Sequence, residues 1–140
     1  MGTNPAHPKL VKTIDSWTAK TGYVGPHTFY ALPGRMLIGS LSNAADKGGV
    51  TGMAVYNNKG DFVAKYDLPT STIGHVKGDG YGYDLAVNPA KNALLTSSFT
   101  GWNNYMRDLG ELIKDPEAMK HFGNTMVMWN LKTMQPQQIL

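Results

Sequence analysis

Gly25–Leu41, GPHTFYALPGRMLIGSL, sets the pattern that the rest of the chain repeats. Pro33-Gly34 separates two runs rich in Thr, Phe, Tyr, Leu and Ile, and Pro-Gly is strong turn punctuation. The stretch therefore reads as a β-hairpin, with one strand over residues 27–32 and a return strand over residues 35–41. Upstream, residues 1–8 read as a loose leader, residues 9–14 (KLVKTI) alternate as a strand does, and residues 15–25 read as loop. Downstream, a loop ends in Gly48-Gly49, and TGMAVY (51–56) gives a third strand. Asn57-Asn58-Lys59-Gly60 is a hairpin turn whose Asn and Gly tolerate positive φ, and FVAKYD (62–67) gives a fourth strand. Residues 69–82 are Gly-rich and read as an exposed loop.

The pattern then restarts. YDLAV (83–87) and ALLTSS (93–98) flank the turn Asn88–Asn92, TMVMW (125–129) matches the third strand, and residues 136–140 supply a fourth. Asp84 follows His27 by 57 positions, and Ala93 follows Met36 by the same offset. Val127 follows Val55 by 72, so about 15 residues are inserted between the second and third strands of the second unit. The insertion reads as helical. Asn103 or Asn104 caps YMRDLGELIK, with Tyr105, Met106, Leu109, Leu112 and Ile113 on one broad apolar face. Asp115-Pro116 opens a second short helix, with Gly123 as its C′ residue.

Four-stranded meanders of about 40–50 residues in tandem are the signature of β-propeller blades. The fold expected is all-β: about two propeller blades, over residues 26–67 and 83–140, with a helical insertion over 103–122. Residues 9–14 would be the outer strand of a preceding blade. A small two-sheet sandwich is the competing architecture. Propellers typically have four or more blades. Two blades leave open flanks, so the chain is expected to be part of a larger propeller or to self-associate.

Composition narrows the function classes. With 140 residues the chain holds one modest domain. The net charge of +3 comes from scattered Lys and Arg, without the basic stripe a nucleic-acid surface needs. There is no cysteine, hence no disulfide, thiolate metal site or cysteine nucleophile. No apolar run approaches the roughly 20 residues of a membrane helix, and the first residues lack the regions of a signal peptide. Neither a nucleic acid nor a membrane is an expected partner. GDGYG (78–82) is no dinucleotide fingerprint, because no strand-to-helix transition follows it.

GPHTFYALPGRMLIGSLSN, the KGG-x-x-G-M-A-V-Y run, DGYGYDLAVNP, LLTSSFTGWNNYM, DPEAMKHFGNT and MVMWNLKTMQP together resemble the selenium-binding protein family, most closely its bacterial methanethiol oxidase branch. The segments run in order over nearly the whole chain from Pro8. The resemblance implies a seven-bladed propeller of which this chain is an internal third. It also implies copper-dependent oxidation of methanethiol with O2 to formaldehyde, hydrogen sulfide and hydrogen peroxide. The non-catalytic alternative is a selenium- or metal-binding scaffold or interaction module. A calcium-dependent propeller lactonase would want several channel carboxylates, which the predicted inner strands lack. The periplasm suits a bacterial oxidase of this branch, and the cytoplasm is the alternative.

By the same resemblance, a histidine of a Pro-His-Thr motif, here Pro26-His27-Thr28, helps to hold copper. His27 is therefore the candidate catalytic and metal-ligating residue. From the residues alone both roles stay open: His27 stands at the entrance to a unit's first strand, and neutral imidazole suits copper. A loop-capping histidine is the plainer alternative. Other branches place a second His and a Cys just after this motif, near where Tyr30 and Ala31 stand here, and the family's other histidines and cysteine segment have no counterpart. Asp84, at the position equivalent to His27, is a candidate to orient a metal-bound imidazole or else to bond the backbone. His75, His121 and His7 read as solvated or structural. Asp108, Glu111, Asp115 and Glu117 read as a solvated helix face, and Phe99, Trp102 and Tyr105 as the apolar seat of the insertion.

Overall fold

The structure is a computed structural model that describes Asn4 and residues 6–140. The expected leader over residues 1–8 lies partly outside the described residues. Two antiparallel four-stranded meanders make up the body. The first contains β1 (Tyr23–Leu32), β2 (Arg35–Asn43), β3 (Gly52–Asn57) and β4 (Phe62–Asp67), paired in chain order. After a small hairpin of β5 (Thr72–Ile73) and β6 (Val76–Lys77), the second contains β7 (Leu85–Asn88), β8 (Ala93–Ser97), β9 (Met126–Asn130) and β10 (Gln135–Ile139), again paired in chain order.

Pro33-Gly34 makes the expected turn, with Gly34 at φ 79°, where a side chain would be strained. β1 begins earlier than expected because Tyr23 and Val24 pair with Asn43 and Ser42. The ladder is irregular between Pro26 and Phe29. Pro26 has no N–H to donate and Gly25 sits at φ 66°, so the strand bulges there and sets His27 and Thr28 off the regular ladder.

Register corrects the repeat arithmetic. Leu37 pairs with Val55 in the first sheet, and Leu94, 57 positions after Leu37, pairs with Trp129 in the second. The third-strand equivalent of Val55 is thus Trp129, 74 positions on, and the insertion is 17 residues rather than 15. Matching Val127 to Val55 would have put Trp129 at the place of Asn57, the last residue of β3. Burial decides between the two, because Val127 and Trp129 are in the core, as Met53 and Val55 are.

One core lies between the sheets. Leu37, Met53, Val55 and Leu68 meet Leu85, Leu94, Val127, Trp129, Leu131, Met134 and Ile139. The Trp129 indole N–H donates to Thr96 Oγ1 at 3.0 Å, so the ring is buried with its polar atom satisfied. β3 is buried on both faces. Its other face carries Ala54 and Tyr56, packed with Ile38, Phe62 and Trp17. Trp17 belongs to α1 (Trp17–Thr21), a turn of helix inside the stretch expected as loop.

Two other expectations fail. Residues 9–14 form no strand, and Leu10 and Val11 are 86% and 93% exposed. Alternating sequence makes a strand only where a ladder partner exists, and this segment is held instead by Lys12 Nζ on Asp61 Oδ1 (2.8 Å) and the Lys59 carbonyl (3.3 Å). The insertion is three single turns, α2 (Trp102–Tyr105), α3 (Leu109–Leu112) and α4 (Pro116–Met119), rather than two helices. Asp108 caps α3 through Glu111 N–H, which restarts the chain midway through the expected face. Leu112 is buried, whereas Met106, Leu109 and Ile113 are exposed. Asp115 and Pro116 open α4 as expected, but it ends at Met119, so Gly123 is no C′ residue.

The linker between the sheets is fastened by a carboxylate. Asp79 accepts hydrogen bonds from Tyr81 N–H (2.9 Å), Asn124 N–H (3.0 Å), Thr125 N–H (3.1 Å), Thr125 Oγ1 (2.8 Å) and Ser98 Oγ (2.8 Å). It thereby ties the linker to the end of β8 and the start of β9. Among the described residues, no helix is long and apolar enough to cross a membrane.

Candidate functional site

The bulge in β1 and the start of β7 come together at one end of the two sheets. His27 is exposed, and its Nδ1 lies 3.1 Å from Thr28 Oγ1. Thr28 Oγ1 in turn donates to Asp84 Oδ1 at 2.8 Å. The same Asp84 oxygen accepts the Leu85 N–H at 2.7 Å, and Asp84 N–H reaches Ser97 Oγ at 3.2 Å. The histidine of the first sheet and the carboxylate of the second, equivalent positions of the two units, are therefore joined through one hydroxyl. The sequence paired them by their offset. The threonine between them emerges only from the packing of β1 beside β7.

An aromatic series continues from the imidazole. His27 and Tyr83 have ring centroids 4.9 Å apart, and Tyr83 and Phe99 5.1 Å. Phe99 contacts Tyr105 (6.4 Å) and meets Phe122 edge-on (5.7 Å), and Trp102 lies 6.0 Å from Tyr105. Phe99, Trp102 and Tyr105 are thus the apolar seat of the insertion, as expected, and Tyr83 extends that seat to the candidate ligand. Burial raises the Tyr105 hydroxyl above its ordinary value.

The insertion is fixed against the same end. Ser42 Oγ accepts the Trp102 N–H (2.6 Å), and Asn103 Nδ2 donates to the Asp46 carbonyl (2.6 Å). Asn104, expected as a cap, is instead buried and donates to Thr100 Oγ1 (2.9 Å) and the Ala118 carbonyl (3.0 Å).

The remaining candidates stay apart. His75 is exposed in the turn of the β5–β6 hairpin. His121 is exposed beyond α4, and its carbonyl, not its ring, is engaged, by Thr100 Oγ1 at 2.6 Å. His7 is exposed near the start of the chain. Asp108 and Asp115 cap helices, and Glu111 and Glu117 pair with Lys114 and Lys120 on the surface. Tyr30 packs against the core, and Ala31 sits opposite Met36 in the ladder.

A donor set for copper is only begun here. His27 offers an exposed imidazole of the right chemistry, but among the described residues no three His, Cys, Asp or Glu side chains converge. Asp79 was missed as an organising residue. Its signal was present, an acid between two glycines in a linker, and the linker runs so close to Pro69 and Thr70 that a Cβ at Gly78 or Gly80 would collide with them.

Two antiparallel meanders packed on either side of one core define the class of fold, and a solved structure shares it. The chain is similar to a hypothetical selenium-binding protein from Sulfolobus tokodaii, with a TM-score of 0.77 over 99% of this chain and 29% of that one, at 23% identity. The sequence relationship is narrower. The chain is 62% identical over 137 residues to a methanethiol oxidase from Hyphomicrobium sp and 50% identical over 145 residues to a methanethiol oxidase from Ruegeria pomeroyi. Each alignment takes in 98% of this chain, so the protein is a homologue of proteins named methanethiol oxidase. It spans about a third of the length of these relatives (31% and 33%). No protein-family model matches the chain.

Proposed function

We propose that this chain is the part of a copper-dependent methanethiol oxidase that supplies His27 to the metal. The observation that carries the reading is the identity of 62% and 50% to two methanethiol oxidases along 98% of the chain. The two meanders are read as adjacent blades of a seven-bladed propeller, with β1 and β7 lining its channel, and the remaining copper ligands come from its other blades. The reaction takes methanethiol, dioxygen and water, one molecule of each, to formaldehyde, hydrogen sulfide and hydrogen peroxide, in a periplasmic enzyme. Copper, when bound, supplies the redox chemistry between thiol and dioxygen. The protein's part here is to hold the imidazole against Tyr83 and to screen one side of the site with Phe99, Tyr105 and Phe122.

In the complete protein, His27→Ala is expected to lose both bound copper and methanethiol-dependent peroxide release. Unchanged copper content and rate would sink the role given to His27. The 140-residue chain alone is expected to show little or no oxidase activity, since one histidine does not fix a copper site. The rival reading is a non-catalytic metal- or selenium-binding scaffold. Metal bound without turnover in the complete protein would favour that rival.

A further inference from the structure

We infer that Asp84, acting through Thr28, is the positioning residue that holds His27 as the Nδ1–H tautomer and leaves Nε2 as its free, ligating nitrogen. The argument is one of proton count. An ionised carboxylate has no proton to give, and a threonine hydroxyl has one. Thr28 Oγ1 lies 2.8 Å from Asp84 Oδ1, and its proton goes there. Towards His27 Nδ1, 3.1 Å away, the same oxygen then presents only lone pairs. Nδ1–H satisfies that contact, whereas a bare Nδ1 would face oxygen lone pairs. A neutral imidazole has a single N–H, so Nε2 keeps its lone pair.

Three further contacts make the arrangement rigid. Asp84 is anchored in the second sheet by the Leu85 N–H at 2.7 Å and by its own N–H to Ser97 Oγ at 3.2 Å. The imidazole lies against Tyr83, with centroids 4.9 Å apart and planes 30° apart, which limits its rotation. Ligand and orienting group stand on different sheets, so the nitrogen is set only when the two sheets dock. That Nε2 goes on to meet a metal rests on reading His27 as a copper ligand; the tautomer does not.

The test uses the complete protein, free of metal and 15N-labelled in histidine, with His27 assigned by its loss in His27→Gln. A long-range 1H–15N correlation spectrum reads the tautomer. The wild type is expected to show Nδ1–H. Asp84→Ala frees the Thr28 hydroxyl to donate to Nδ1 and moves His27 towards Nε2–H. Thr28→Val, nearly isosteric and the second variant should Asp84→Ala not fold, removes the acceptor and moves it the same way, and Thr28→Ser restores the wild-type spectrum. Titration with Cu2+ is expected to show affinity about 10-fold weaker in Asp84→Ala, at the low end for groups that orient metal-bound histidines. Wild-type His27 found as Nε2–H, or a tautomer unmoved by both variants, overturns the inference. The two readings fail separately: Nδ1–H in a protein that binds no copper sinks the copper reading alone, and copper bound through His27 with Nε2–H in the metal-free state sinks the positioning alone.

Discussion

Asp79→Ala tests whether a single carboxylate fastens the linker to the second sheet. Asp79 accepts three backbone N–H groups, from Tyr81, Asn124 and Thr125, and two hydroxyls, from Ser98 and Thr125. The five do not count equally. Asn124 is exposed and Tyr81 half-buried, so water replaces the carboxylate at their N–H groups at small cost. Ser98 Oγ and Thr125 Oγ1 lie 3.0 Å apart and keep each other as partners. Thr125 is buried, and its N–H is left without an acceptor. An orphaned buried donor costs about 2 kcal/mol, and the lost charge-assisted bonds add about 1. The expected destabilisation is therefore ~3 kcal/mol, or about 10 °C in the unfolding midpoint for a domain of this length. Thermal and urea unfolding of the variant against the parent measure it. Asp61→Ala is the control, because the Asp61 side chain makes only exposed contacts, an ion pair with Lys12 at 2.8 Å and a hydrogen bond from Asn57 Nδ2 at 3.3 Å, and its midpoint should not move. An Asp79→Ala midpoint as close to the parent's as the control's would refute the reasoning.

Three further outcomes are expected. Burial first, and then the Asp67 carboxylate that accepts its hydrogen bond, raise the Tyr23 hydroxyl far above its ordinary value of 10.0. Below about pH 10 both folded and unfolded chains keep the proton and the stability is fully present; above it the unfolded chain ionises first, and stability falls by up to about 1.4 kcal/mol per pH unit. Tyr23→Phe should flatten that alkaline limb, and equal slopes for the two proteins would speak against it. Gly52→Ala should abolish or severely weaken folding, because a Cβ there would collide with the Tyr66 carbonyl and the Tyr23 hydroxyl; a circular dichroism melt like the parent's would contradict the packing of β3 against β4. Trp129→Phe should cost about 2–3 kcal/mol through the lost ring volume and the buried Thr96 hydroxyl left without its donor, and Thr96→Val added to it should recover part of that loss in urea unfolding. No recovery would mean that the hydrogen bond contributes nothing.

Much of the fold was legible because its signals are local. The Pro33-Gly34 turn, the Asn57–Gly60 turn and the Asp115-Pro116 helix start each need only their own residues and neighbours, and each stands where the residues predict. Strand boundaries slipped where pairing decided them, as at Tyr23 and Val24. The insertion was misread because a helical period was carried through Asp108, whose side chain caps a new turn instead. Of the candidate site, His27, Asp84 and the aromatic seat were named from the sequence, and the hydroxyl of Thr28 that joins the first two was not.

Local signals suffice to show that the chain is β-rich, that it repeats a four-stranded unit twice, and that one histidine opens the first unit. The rest depends on contacts between distant residues. Residues 9–14 have the alternation of a strand but no partner edge among the described residues, and form no strand there. Val127 and Trp129 set the register of the second sheet, because only that register buries the indole. Asp79 gathers donors from residues 81, 98, 124 and 125, and Asp84 reaches Thr28 across 56 positions. Turns obey conformational preferences carried by one or two residues; registers and hydrogen-bond networks are set by which surfaces can be buried together, and no local stretch of sequence contains that information.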